Sequence, residues 1–199
     1  MLKEPMVGIS GASGTLVFRE DVRPTDCRDI ARIVRSSGFF SEEEVTVAVE
    51  LAGERLEKGI GSGYRFLFAE LFGGVVGYTC FGPIPCTQSS YDLYWIAVHN
   101  DFRHLSVGRQ LLGRSEEIIA KYGGHRIYVE TSSRVIYRPT RQFYTACGYA
   151  ENVVLEDYYA PGDGKVIYVK VMDASTKAVK NDSSSNRKNA AASMTNWRS

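Results

Sequence analysis

Residues 91–112 read YDLYWIAVHNDFRHLSVGRQLL, and this stretch decides the fold. Leu93 to Val98 is an apolar run of strand type. A short polar loop holding Arg103, Ser106 and Gly108 follows, and an amphipathic helix begins at once. The first-turn N–H groups of a helix have no intrahelical partner, and its dipole favours negative charge. A strand feeding a small-residue loop at a helix start is therefore a site for a phosphate-bearing ligand. Arg103 adds a permanent cation, and Arg109 in the first turn adds a second, unfavourable there unless an anion sits beside it.

Upstream, the pattern predicts a strand over Thr15–Val22 and a helix opened by Pro24-Thr25 and stopped by Gly38. Ser41-Glu42-Glu43-Glu44 is a capping-box start to a second helix that ends at Gly59. A hairpin is expected next, Tyr64–Glu70 with Val75–Phe81, turning at Gly73-Gly74. Downstream, the helix after Gly108 stops at Gly123-Gly124 and Arg126–Glu130 reads as a strand. Pro139-Thr140 opens a short helix ending near Gly148. Two last strands, about Asn152–Tyr158 and Val166–Val171, are joined through Asp163-Gly164. The order β-α-α-β-β-β-α-β-α-β-β predicts one α/β domain with a mixed sheet over 15–172. A flexible leader over 1–14 and a disordered tail over 173–199 flank it. The glycine-rich stretch Val7–Gly14 looks like a phosphate loop, but only a short, charged segment precedes it and a strand follows it. It is read as part of the leader.

The formal charge is +1 over 199 residues, and the tail contributes +3 of it, which leaves the body at −2. That balance is a poor match to a polyanion, so nucleic acid is not an expected partner. Cys27, Cys80, Cys86 and Cys147 show no metal-site spacing with His99, His104 and His125. They read as reduced thiols, with no metal, in a cytoplasmic protein. No apolar run approaches the length of a membrane span, and no basic-then-apolar secretory signal is visible.

Two motifs at matching places in this order carry a resemblance. Arg103-His-Leu-Ser106-Val-Gly108 follows the fourth strand, and Tyr144-Thr-Ala-Cys-Gly148-Tyr149 lies downstream. With them the chain resembles the GNAT superfamily of acetyl-CoA-dependent N-acetyltransferases over about 16–171. The family's pyrophosphate loop reads Arg/Gln-x-x-Gly-x-Gly/Ala. Arg103 and Gly108 match its ends, while Ser106 replaces its middle glycine. The second signature, a Tyr with Gly-Phe four residues on, matches Tyr144 and Gly148, with Tyr149 in place of Phe. The resemblance implies six to seven strands splayed at a cofactor cleft, with about four helices. It implies acetyl-CoA binding by Ile96, Val98, Arg103, His104, Ser106, Val107, Gly108 and Arg109. A glycine lets backbone approach the pyrophosphate and adopt unusual φ. Serine does so only at negative φ, and its hydroxyl is a compensating donor.

Acetyl transfer needs a neutral amine, a donor for the developing oxyanion and a proton for the departing thiolate. By the resemblance, Tyr144 is the proton donor and backbone N–H groups near Ile96–Val98 face the oxyanion. A core tyrosine is the alternative for Tyr144. Asp92 lies six residues before Val98, where histone-acetylating members carry a glutamate. On a regular strand it shares a face with Tyr94, Ile96 and Val98, and relays the amine proton through water. Its alternatives are a loop-ending Asp or a partner for Lys or Arg, and Glu70 and Glu130 compete with it. Arg138 and Arg141 flank Pro139 and either touch CoA phosphates or a substrate carboxylate, or form a solvated face. Gly59–Gly63 and Pro83–Ser90 are the expected acceptor-side loops. Phe39, Phe40, Tyr64, Tyr91, Tyr158 and Tyr159 around them suit a compact amine pocket or ordinary core packing. The expected acceptor is a small-molecule or amino-acid amine, with a peptide amine, or a non-catalytic acyl-CoA sensor, as alternatives. No membrane partner is expected, and a homodimer is compatible with the chain.

Overall fold

A computed structural model of the chain describes residues 14–172; the expected leader 1–14, except Gly14, and the expected tail 173–199 lie outside the described residues. The elements run β1 (Val17–Arg19), α1 (Asp26–Ser36), α2 (Glu42–Lys58), β2 (Arg65–Leu71), β3 (Gly74–Pro83), β4 (Ser90–Val98), α3 (Val107–Lys121), β5 (Arg126–Ser132), α4 (Arg138–Ala146), β6 (Ala150–Ala160) and β7 (Asp163–Val171). This is the expected order. The seven strands form one mixed sheet, β1-β2-β3-β4-β5-β7-β6, in which only β4 and β5 pair in parallel.

Local chemistry explains most boundaries. Ser41 Oγ accepts from the Glu44 backbone N–H at 3.2 Å, and Glu44 Oε2 accepts from the Ser41 N–H at 2.8 Å, so the capping box that starts α2 is real. β1 is shorter than the expected Thr15–Val22. It pairs with only Phe68–Glu70, and Arg19 then turns into the buried carboxylate of Asp26. Two turns shift by a residue or two. The β2–β3 turn falls on Phe72-Gly73, both at positive φ, instead of Gly73-Gly74. The β6–β7 turn falls on Pro161-Gly162, with Gly162 at φ 80°, while Asp163 and Gly164 open β7.

The sheet carries an apolar layer on each face. Ile30, Ile33 and Val34 of α1 and Val45, Ala48 and Ala52 of α2 pack on Phe66, Phe68, Tyr78 and Cys80. Leu111, Leu112, Ile118 and Ile119 of α3 and Tyr144 of α4 pack on Leu67, Phe81, Leu93, Ile127 and Val129. Two irregularities in β4 position the site between these layers. Phe81 pairs with Leu93 and Cys80 with Trp95, which leaves Tyr94 as a bulge and swaps the strand's faces on either side of it. Pairing between β4 and β5 covers only Ser90–Asp92 with Arg126–Tyr128. Past that rung the two strands diverge, and the β5-facing edge of residues 94–98 has no strand partner. This is the expected splay.

Candidate functional site

The gap between β4 and β5 opens into two cavities. The first, about 360 Å³, is walled by Ile96, Ala97 and Val98 of β4, Gly108 and Arg109 of α3, Thr140 and Phe143 of α4, and Arg103, Ser106 and Phe40. The second, about 280 Å³, has Tyr94, Trp95, Glu130, Tyr137, Tyr144, Tyr159 and Glu44 on its wall. Phe40, Ile96 and Thr140 line both, so the two meet at these three residues.

The first cavity has the chemistry of an anion site. Its polar end is the N-terminus of a fifteen-residue helix, whose first-turn N–H groups point outward. The loop carrying Arg103 is a 3-10 turn over Asn100–Leu105. Asn100 ties it to the end of α1 by donating from its backbone N–H to Ser36 Oγ at 3.2 Å and from its side chain to the Ser36 carbonyl. Arg103 lies over the Phe39 ring at 5.4 Å, and burial lowers its pKa with no carboxylate acting against that. Its guanidinium reaches solvent with no carboxylate beside it among the described residues, so it is free to pair with a bound phosphate group. Arg109 lines the same wall.

Ser106 sits at φ 57°, ψ 18°, in the left-handed region, and its hydroxyl makes no capping bond to α3. The negative φ expected of a serine here is therefore not adopted. The loop keeps the glycine-like backbone and strains the serine instead. Its uncommitted hydroxyl remains available to a ligand. Of the expected cofactor residues, Ile96, Val98, Arg103, Ser106, Gly108 and Arg109 line the cavity. His104 is exposed and Val107 is in the core, so neither side chain is on the wall.

Tyr144 reaches the second cavity from α4. It is 5% exposed and packs on Phe143, Tyr149 and Tyr168 with ring centroids 5.5–6.0 Å apart. Burial, with a smaller push from Cys147, raises its phenol well above the ordinary tyrosine range, and no hydrogen bond to a described residue contributes. The hydroxyl thus stays protonated, and the side chain lines a cavity without a hydrogen-bond partner among the described residues.

Asp92 is not where a regular strand would put it. The Tyr94 bulge separates it from Ile96 and Val98. Those two pack with the α3 layer, whereas Asp92, like Tyr128 and Glu130, alternates with residues of that layer and faces the other way. It lines neither cavity. Burial first, then Glu130, raises its carboxyl above the usual range, with Lys165 acting in the opposite direction. Glu130 is on the cavity wall, with Lys165 Nζ 2.6 Å from its Oε2. Glu70 lines neither cavity and is held in an ion pair with Arg19 at 2.6 Å. Burial, followed by Asp92, pushes Tyr94 up to about 12.

The Arg141 guanidinium donates to the carbonyls of Ser132 and Arg134 at 2.6 and 3.0 Å, which pins the segment after β5 and takes it out of the site. Of the aromatics expected around the acceptor, Phe40 and Tyr159 line the second cavity. Tyr91 is in the core, and Tyr64 stacks edge-on against Tyr94. Neither Gly59–Gly63 nor Pro83–Ser90 contributes to either wall. Of the other wall residues, Trp95, Tyr137 and Phe143 carry no motif, Glu44 and Thr140 read in the sequence only as helix-start residues, and Tyr94 only as a strand residue. Among the described residues no cluster of His, Cys, Asp or Glu could hold a metal ion, and no helix is long and apolar enough to cross a membrane.

Residues 62–151 match the acetyltransferase (GNAT) domain. A protein from Desulfovibrio desulfuricans assigned to the GNAT family of acetyltransferases is 41% identical, with a TM-score of 0.78 over 79% of this chain and 99% of that one. An aminoglycoside 6'-N-acetyltransferase in complex with coenzyme A shares the fold at 18% identity and a TM-score of 0.65, over 81% of this chain and 99% of that one. The ribosomal-protein-S18-alanine N-acetyltransferase of Escherichia coli does so at 16% identity and a TM-score of 0.65, over 83% and 99%. No curated protein matches the sequence.

Proposed function

Because the chain belongs to the GNAT family of acetyltransferases, we propose that it moves the acetyl group of acetyl-CoA onto a small-molecule amine by direct transfer in a ternary complex. The catalytic unit is residues 15–172. The observation that carries this reading is the meeting of two cavities at Phe40, Ile96 and Thr140. One has an anion-binding end and the other a tyrosine hydroxyl without a hydrogen-bond partner among the described residues, so a thioester and an amine held in them would face each other across the β4–β5 gap.

Acetyl-CoA supplies the activated acyl group; the residues bind, orient and move protons. Arg103, Arg109, the Ser106 hydroxyl and the α3 N-terminus would hold the pyrophosphate. Backbone N–H groups on the unpaired edge of β4 would face the carbonyl oxygen as it gains charge. Tyr144 would donate to the leaving sulfur. Its raised pKa lies far above a thiol's ordinary value of about 8.5, so full proton transfer to the thiolate is uphill. Its contribution is a hydrogen bond that strengthens as charge develops, and the attacking amine's own proton ends on the thiol. The ammonium must first be deprotonated. Glu130 on the wall and the raised carboxyl of Asp92 behind it form the proton exit, through water. Asp92 acts as a relay only.

The test is thiol release from acetyl-CoA over a panel of amines, amino acids and a peptide N-terminus. Amine-dependent release with a small-molecule amine is expected. Tight acetyl-CoA binding with no amine-dependent release by any panel member would leave a sensor, and release with the peptide alone would move the acceptor to protein.

A further inference from the structure

The second cavity contains more recognition chemistry than a single reacting amine requires. Phe40, Trp95 and Tyr137 form an aromatic corner on its wall, with the Phe40 ring 5.1 Å from Trp95 and 6.4 Å from Tyr137. Three carboxylates share the wall, and their partners differ. Asp163 accepts from Ser132 Oγ at 2.5 Å and pairs with Arg134 at 3.1 Å. Glu130 pairs with Lys165. Glu44, an exposed residue in the first turn of α2, uses one oxygen on the Ser41 N–H and has no cationic partner among the described residues. Its charge is felt at the corner: after burial, Glu44 is the main influence raising Tyr137. An uncompensated carboxylate beside aromatic faces is the chemistry that binds an organic cation. The reacting end of the same small cavity is marked independently by Tyr144, nine-tenths buried and without a hydrogen-bond partner.

Resting on the acetyl-transfer reading above, we propose that the acceptor is a small diamine or polyamine whose second, non-reacting ammonium is held by Glu44 against Phe40, Trp95 and Tyr137. An aliphatic ammonium remains charged at neutral pH, so one amine is retained as a cation while the other is deprotonated near Glu130. An amino acid is disfavoured at the same place. The one guanidinium on the wall, Arg134, is already neutralised by Asp163 and lies over Tyr137 at 5.4 Å, so an acceptor carboxylate would meet Glu44 without a free cation.

The test compares diaminobutane, butylamine and aminobutanoate, three acceptors of similar length, with the full chain and saturating acetyl-CoA. The expected kcat/KM for diaminobutane exceeds that for butylamine about threefold or more, the size of a cation–aromatic contact beside an exposed carboxylate. Aminobutanoate should be the poorest. In Glu44→Gln, which keeps the cap on α2, the diamine-to-butylamine ratio should fall toward one through KM, and Glu44→Asp should restore part of it. Equal use of diamine and butylamine, preference for aminobutanoate, or a ratio that survives Glu44→Gln would overturn the proposal. Calorimetric binding of diaminobutane to the acetyl-CoA-loaded chain, wild type against Glu44→Gln, decides it even if no amine is turned over. In that event it is the transfer reading that fails, and Glu44-dependent diamine binding would still support the site.

Discussion

Replacing Ser106 with glycine should move stability and cofactor affinity in opposite directions. Ser106 holds φ 57°, ψ 18° at the start of α3, a conformation that costs an L-residue about 1–2 kcal/mol. Glycine removes that strain but loses about 0.5–1 kcal/mol through its freer unfolded chain. The net gain is about 0.5–1 kcal/mol, or roughly 2 °C in Tm for a domain of this size. The same change deletes the hydroxyl, which makes no capping bond to α3 and is assigned here to a phosphate oxygen. A hydrogen bond to a charged group contributes about 1.5–3 kcal/mol, so Kd for CoA should weaken about tenfold or more. Thermal unfolding without ligand and calorimetric titration with CoA read the two effects separately. A lower Tm would refute the strain argument, and unchanged or tighter CoA binding would refute the phosphate contact.

Further substitutions test other parts of the account. Asp26 is fully buried, accepts from Arg19 at 2.5 and 2.9 Å and from the Arg23 N–H at 2.7 Å, and anchors β1 to α1. Asp26→Asn should cost about 3 kcal/mol in urea unfolding, because it strands part of a buried ion pair; a loss below about 1 kcal/mol would contradict that role. Arg103→Ala should weaken CoA binding about tenfold. Arg141→Ala should leave CoA binding alone and destabilise by about 1–2 kcal/mol, since its guanidinium serves carbonyls; the reverse pattern would exchange their roles. Burial and Glu130 raise the Asp92 carboxyl in the folded state, so the folded protein holds that proton more tightly than the unfolded chain. Its stabilising contribution is complete below about pH 4 and is lost as pH rises through the raised folded value. Asp92→Asn should therefore increase Tm at pH 7 and give no gain near pH 3–4, and a gain of equal size at both would show that ionisation is not the cause.

The sequence contains the element order because its signals are local. Ser41 to Glu44 spell a cap that forms, Gly59 and Gly123 stop helices, and the loop of Arg103, Ser106 and Gly108 lies where the strand-to-helix junction requires. The site is only half legible. The Tyr94 bulge depends on how β4 registers against β3, and no residue in YDLYWIAV announces it. Without it, strand alternation placed Asp92 beside Ile96, on the wrong face. Glu44 was legible as a cap and hidden as a wall residue, because most of the cavity it lines is made by segments fifty or more residues away. Trp95 and Tyr137 carry no motif at all. Their roles follow from the divergence of β4 and β5, a property of long-range pairing.

Acetyl transfer is proposed to take place where the two cavities meet, beneath the hydroxyl of Tyr144. Single-turnover thiol release in Tyr144→Phe tests it most directly, because phenylalanine keeps the packing on Tyr149 and Tyr168 and removes only the oxygen. Loss of a hydrogen bond to the developing charge should lower the rate of acetyl transfer about 100-fold or more, with Kd for CoA within about twofold of wild type. A transfer rate close to wild type would make Tyr144 a core tyrosine and place the reaction elsewhere.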